Sequence, residues 1–124
     1  MENEIEVNGK KYVLKDSIKV NPKTASSVKG KTYCIVRTYS AGVFAGFIDL
    51  KVKGQERIVY NARRLWQWTG ASSLSQLAME GSKTPNTCKF PVEVNEVYLT
   101  QVIEIIPCTE IAKKNIASVP IWEQ

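Results

Sequence analysis

An α+β fold is what this sequence predicts: a small antiparallel sheet or partly closed β-barrel carrying two short helices and an N-terminal β-hairpin arm. Three observations carry that expectation. Between Thr32 and Trp68 three stretches of branched and aromatic residues follow one another, separated by short glycine-containing breaks, as in an antiparallel meander. The longest branched run, Val94 to Ile106, supplies a further strand. Two short polar-capped stretches, opening at Ser73 and at Thr109, carry helix-start signals.

Taken in order, Ile5 to Leu14 reads as a hairpin, because Asn8-Gly9 suits a type I′ turn between alternating residues. Asp16 to Gly30 is polar and poor in apolar residues, so residues 1–30 are expected to form an arm and linker and residues 31–124 a single domain. The first strand of that domain runs from Thr32 to Tyr39, with Cys34 and Val36 facing away from Tyr33, Ile35, Arg37 and Tyr39. Val43 to Val52 is the second, and Gly46 within it marks a bulge or a close backbone approach. The third starts near Glu56 and is expected to continue through Trp68, with Arg64, Trp66 and Trp68 on one side and Arg63, Leu65 and Gln67 on the other. Ser73 followed by Gln76 fits a capping box, and Gly81 fits a helix stop. Cys88 to Val92 contains a proline and belongs at an edge or outside the sheet. Val94 to Ile106 reads as a central strand ended by Pro107. Thr109 caps a helix from Glu110 to about Ser118, on which Ile111, Ala112, Asn115 and Ile116 share a face. The tail from Val119 is extended, with Trp122 packing over the core.

Composition narrows the chemistry. The 124 residues carry 17 Lys and Arg against 12 Asp and Glu, a formal charge of +5, which suits an anionic partner. Histidine is absent, which removes Ser–His and Cys–His nucleophile systems. Cys34, Cys88 and Cys108 lack the close spacing of a zinc or redox motif, and the acids are scattered singly. No enzyme activity, metal or cofactor is expected. No apolar run approaches the ~20 residues that span a bilayer, and the acidic N-terminus lacks signal-peptide regions, so a cytoplasmic protein is expected.

The candidate site is the strand–turn–helix unit from Asn61 to Gly81. Arg63 and Arg64 could clamp phosphate through their planar guanidinium forks, although neighbours in a strand face opposite ways. Trp66 and Trp68 offer flat faces for a base. The amides at Ser72 and Ser73 open a helix that can attract an anion, or they can simply be capped. Arg37, Tyr39 and Ser40 end the first strand and would join Asn61, Arg63 and Arg64 if the first and third strands flank the second. The basic residues form no long stripe of the kind that tracks a duplex, so a small nucleotide in a discrete pocket fits better than nucleic acid.

Several phrases carry a resemblance: Tyr33-Cys-Ile-Val-Arg-Thr-Tyr-Ser-Ala-Gly-Val-Phe-Ala-Gly, Asn61-Ala-Arg-Arg-Leu-Trp-Gln-Trp, Gly70-Ala-Ser-Ser-Leu-Ser-Gln-Leu-Ala, Cys88-Lys-Phe and Glu104-Ile-Ile-Pro-Cys-Thr. In them the chain resembles a family of small phage-encoded proteins built on a domain of unknown function, over roughly Tyr33 to Trp122. The resemblance implies a phage origin and a link to viral sponge (anti-CBASS) proteins, which sequester cyclic-nucleotide immune signals as homo-oligomers. The combined expectation is an anti-defence protein, acting in the cytoplasm of an infected bacterium, that captures a cyclic di- or trinucleotide without cleaving it. The alternatives are a nucleic-acid-binding accessory protein and a structural or protein-interaction module.

Overall fold

The computed structural model describes residues 29–123; the expected N-terminal hairpin and nearly all of the linker lie outside the described residues. Five strands form one antiparallel sheet: β1 Thr32–Thr38, β2 Val43–Ile48, β3 Arg57–Arg64, β4 Val94–Leu99 and β5 Val102–Pro107. Their order is β4-β3-β2-β1-β5. Among the described residues two helices, α1 Leu74–Glu80 and α2 Glu110–Ser118, cover one face, and one 3-10 turn spans Pro85–Thr87. The fold is therefore α+β, and the sheet is open, not closed into a barrel.

The first two connections are hairpins, so β1 and β3 flank β2 as the meander predicts. The expected central strand Val94 to Ile106 is instead two strands at opposite margins. β4 pairs with β3 and β5 pairs with β1, and the run breaks at Thr100-Gln101. A continuous β-branched run signals strand but not which neighbour it pairs with. Here Leu99 faces Arg57 and Val102 faces Thr38, and two intervening residues can span no more than about 10 Å. The sheet curls strongly to let both margins meet that corner. Within the curl lies one core of Cys34, Val36, Phe44, Ile48, Val59, Ala62, Leu99 and Val102.

The opposite face carries the second core, where Ile35, Ala45 and Leu65 pack under Leu77 and Ala78 of α1, Ile116 of α2, and Cys88 and Phe90 of the connecting segment. Phe90 is fully buried although its segment stands outside the five strands. It is held by one bridge to Ile121 and sits beside another between Gln67 and Lys89.

A bulge shapes the middle of β3. Ala45 pairs with Arg63 and Phe47 with Tyr60, so Asn61 and Ala62 together oppose Gly46. Asn61 adopts φ 51°, in the left-handed region where Asn is among the more tolerated residues. A Cβ on Gly46 would stand 2.6 Å from Val59 Cγ1 and 2.8 Å from the Tyr60 carbonyl oxygen. The glycine thus marks both features that the sequence offered as alternatives.

The third strand does not continue to Trp68. It ends at Arg64, the Leu65 amide donates to the Val43 carbonyl, and the chain then leaves the sheet. Alternation fails with it: Leu65 and Trp68, expected on opposite sides, pack against the same core. At α1, Ser73 Oγ accepts from the Gln76 amide at 3.1 Å. The return bond of the capping box shifts by one residue, since Gln76 Oε1 accepts from the Ser72 amide at 2.9 Å. Thr109 caps α2 as expected, accepting from the Ala112 amide. Ala112 and Ile116 are buried beneath that helix, whereas Ile111 is 71% exposed and off the shared face.

Candidate functional site

The residues singled out from the sequence do not meet in one place. Arg37 lies exposed on β1, its Nε donating to Glu104 Oε1 at 2.8 Å. Tyr39 is exposed beyond the strand, its amide donating to the Gln101 carbonyl, and Ser40 Oγ contacts Gln101 Oε1 at 3.4 Å. Arg64 projects toward the β1–β2 turn, lying 4.4 Å from the Phe44 ring centroid and donating to the Ala41 carbonyl at 2.6 Å. Arg63 faces the helical side, because it pairs with Ala45 of that core. Trp66 is half exposed, Trp68 is half buried against the core, and Ser72 and Ser73 are used in capping. The Ser72 amide is taken up by Gln76 Oε1 and the Ser73 hydroxyl by the Gln76 amide, so both residues serve the cap of a helix only seven residues long.

Arg63 is the most constrained cation. Its Nη1 donates to the Ile116 carbonyl at 2.9 Å, Nη2 to the Phe90 carbonyl at 3.2 Å and Nε to the Pro91 carbonyl at 3.1 Å. The guanidinium carries five N–H groups, so two remain beyond these three bonds. Burial pulls its pKa down while nearby Tyr33 and Glu93 act in the opposite sense, and an arginine stays charged in such surroundings.

Around Arg63 opens a cavity of about 410 Å³, lined also by Tyr33, Phe47, Asn61, Glu93 and Lys113, with Val92, Ala117, Val119 and Ile121 completing its walls. Each element places its part for a local reason. The β1–β2 register sets Tyr33 opposite Phe47, and their rings meet edge to face at 5.1 Å and 74°. The bulge brings Asn61 to the wall beside Arg63. From α2 comes Lys113, whose ammonium lies 5.6 Å from the Phe47 ring centroid and 3.3 Å from Glu110 Oε2. Burial, with smaller contributions from Cys108 and Glu93, pushes the Tyr33 phenol above its ordinary range, so it stands in the wall as a neutral hydrogen-bonding group.

The arrangement gives two cations, one carboxylate, a phenol, an amide and an aromatic corner around one hollow. Such a hollow can bind a small molecule that has an anionic part and a flat apolar part. Two of the sequence candidates, Asn61 and Arg63, belong to it. Tyr33, Phe47, Glu93 and Lys113, which also line it, were not singled out from the sequence as site residues. Lys113 sits fifty residues from Arg63 with no pattern linking them, and Tyr33 and Phe47 look like ordinary strand aromatics. Among the described residues no group of three or more Cys, Asp or Glu is placed to hold a metal ion.

The fold and hollow define a small α+β protein with a cationic, aromatic-walled cavity on the helix-covered side of its sheet. The chain belongs to the family described as a domain of unknown function, DUF6948, whose model matches residues 31–116. That span contains Tyr33, Phe47, Asn61, Arg63, Glu93 and Lys113 and stops short of Ile121 and Trp122. No curated protein and no solved structure matches the chain. Among the described residues no helix is long and apolar enough to cross a membrane.

Proposed function

We propose that this protein binds and sequesters a small phosphorylated aromatic ligand, of the cyclic di- or trinucleotide class, without cleaving it. The observation that carries the reading is the cavity in which Arg63, locked by three carbonyls, and Lys113 accompany the Tyr33–Phe47 corner. A guanidinium fixed before the ligand arrives loses little freedom on binding, and its remaining N–H groups can meet phosphate oxygens. The Lys113 ammonium supplies the second positive charge, and the aromatic corner takes a base. Capture without turnover suits a wall whose ionisable groups are an arginine, a lysine, a neutral phenol and a single carboxylate, in a chain without histidine.

The hollow is near the lower end of small-molecule sites, roughly 300–1,000 Å³. It suits one base and its phosphate, so a cyclic dinucleotide would be shared between two copies of the chain. Val92 and Ile121, exposed apolar residues at the cavity wall, suit such a contact. The anti-defence role and the cytoplasm of an infected bacterium come from the resemblance to phage-encoded proteins. The cavity supports the ligand class alone.

Calorimetry against a panel of cyclic di- and trinucleotides tests the reading. Tight binding of at least one member is expected, the ligand should return intact after heat denaturation of the protein, and Lys113→Glu should weaken it at least tenfold with the melting temperature little changed. No heat across the panel, or binding indifferent to Lys113→Glu, defeats it.

A further inference from the structure

Outside the cavity, Trp66 and Trp122 stack with ring centroids 4.8 Å apart and planes 23° from parallel. The Lys89 ammonium stands 5.8 Å from both centroids. Three stretches distant in sequence meet here, and main-chain bonds hold them. Gln67 and Lys89 exchange both backbone hydrogen bonds, at 3.3 and 2.8 Å, and the Trp122 amide donates to the Phe90 carbonyl at 3.0 Å. The indoles are therefore set by the backbone and not by their own rotamers alone. Trp66 nevertheless leaves 50% of its surface in water. The result is a large flat aromatic, held from the backbone and half open to water beside a cation.

We propose that this aromatic pair is a second binding site, for single-stranded nucleic acid. One base stacks on the open face of Trp66 and Lys89 neutralises the phosphate next to it. Charge and shape together separate this occupant from a protein partner. Protein interface cores are depleted of lysine, and here the Lys89 ammonium stands beside both rings. Trp66 is backed by Trp122 and presents a plane, which any nucleobase can cover. The ammonium beside both rings supplies the charge that a phosphate needs, and the chain's +5 aids approach of a polyanion. The site is distinct from the cavity, whose lining includes none of Trp66, Lys89 and Trp122, although it adjoins that hollow through Ile121. It stands whether or not the cavity takes a nucleotide.

Fluorescence anisotropy of a labelled oligothymidylate, followed over a range of salt concentrations, tests it. Binding should weaken steeply with salt. Trp66→Ala should lower affinity about tenfold or more, and Trp66→Phe, which keeps a stacking ring, should restore most of it. Lys89→Gln should weaken binding and flatten the slope of log affinity against log salt by roughly 0.7. Saturating cyclic nucleotide should leave the oligonucleotide bound; displacement would merge the two sites and overturn the proposal. Absence of binding at low salt, or equal binding by Trp66→Ala, overturns it as well. So does loss of self-association in Trp66→Ala by sedimentation where the parent binds no oligonucleotide, which would make the surface a protein interface.

Discussion

Arg63 and Arg64 are adjacent in sequence, yet replacing each by methionine should have very different effects. Methionine keeps an unbranched stem of similar length and removes the guanidinium. At Arg63 that change deletes donors to three carbonyls, those of Pro91, Phe90 and Ile116, at a residue 6% exposed. Hydrogen bonds to a charged group contribute roughly 1.5–3 kcal/mol each, and three on one side chain are not additive. A loss of about 3–5 kcal/mol is expected, a large part of the ~5–15 kcal/mol that holds a typical domain together. Arg64 is exposed and gives up one bond to the Ala41 carbonyl and a contact with the Phe44 ring, costing about 1 kcal/mol or less. Urea unfolding followed by tryptophan fluorescence measures both, with the loss read from the midpoint at unchanged slope. Equal losses in the two variants, or a loss below about 1 kcal/mol at Arg63, would refute the idea that this guanidinium ties the Phe90–Pro91 segment and α2 to the sheet.

Three further outcomes follow from the geometry. Gly46→Ala should lose about 1–3 kcal/mol in the same urea assay, because its methyl would meet Val59 and the Tyr60 carbonyl across the bulge. At φ 51°, Asn61→Ala should be less stable than Asn61→Gly by about 1 kcal/mol, since both lose the amide and only alanine strains the backbone. Burial raises the Cys34 thiol to about 11 and the Cys108 thiol to about 12, from an ordinary 9.0. The folded chain thus keeps protons that the unfolded chain sheds; this stabilising contribution is complete below pH 9 and fades as pH climbs through 9 toward 11 and 12. Urea midpoints should therefore drop above pH 9, and drop less in Cys34→Ala; an identical drop in that variant would show the thiol to be uninvolved.

Strand-forming stretches, both helix caps and the meander order were legible because each rests on local signals: alternation over Thr32–Thr38, Ser73 three residues before Gln76, Thr109 before Ala112. Gly46 announced the bulge for a similar reason. The placement of Val94–Pro107 was not legible, because pairing partners lie far away in sequence and a branched run fits an edge as well as a centre. Trp68 misled because alternation holds only while the chain stays in the sheet, and hydrogen bonding to Val43 ends that at Leu65. Trp122, expected over the core, instead lies partly exposed against Trp66. The cavity was half legible: Asn61 and Arg63 drew notice through their own chemistry. Tyr33, Phe47 and Lys113 acquire theirs through register and helix docking, which one sequence does not encode locally.

The corner at Thr100-Gln101 also governs how the molecule comes apart. Both outermost ladders are made by one uninterrupted ribbon, anchored at its bend by the Gln101 carbonyl to the Tyr39 amide and by the Val102 amide to the Gln55 carbonyl. Neither margin can peel back far without loosening the other, so fraying, usually a local affair at each end of a sheet, becomes a shared event. The hydrogen-bonded amides of Val94–Leu99 and Val102–Pro107 should exchange with deuterium through one common free energy of opening. A single protease cut at Thr100 would uncouple them, leaving each margin to fray on its own.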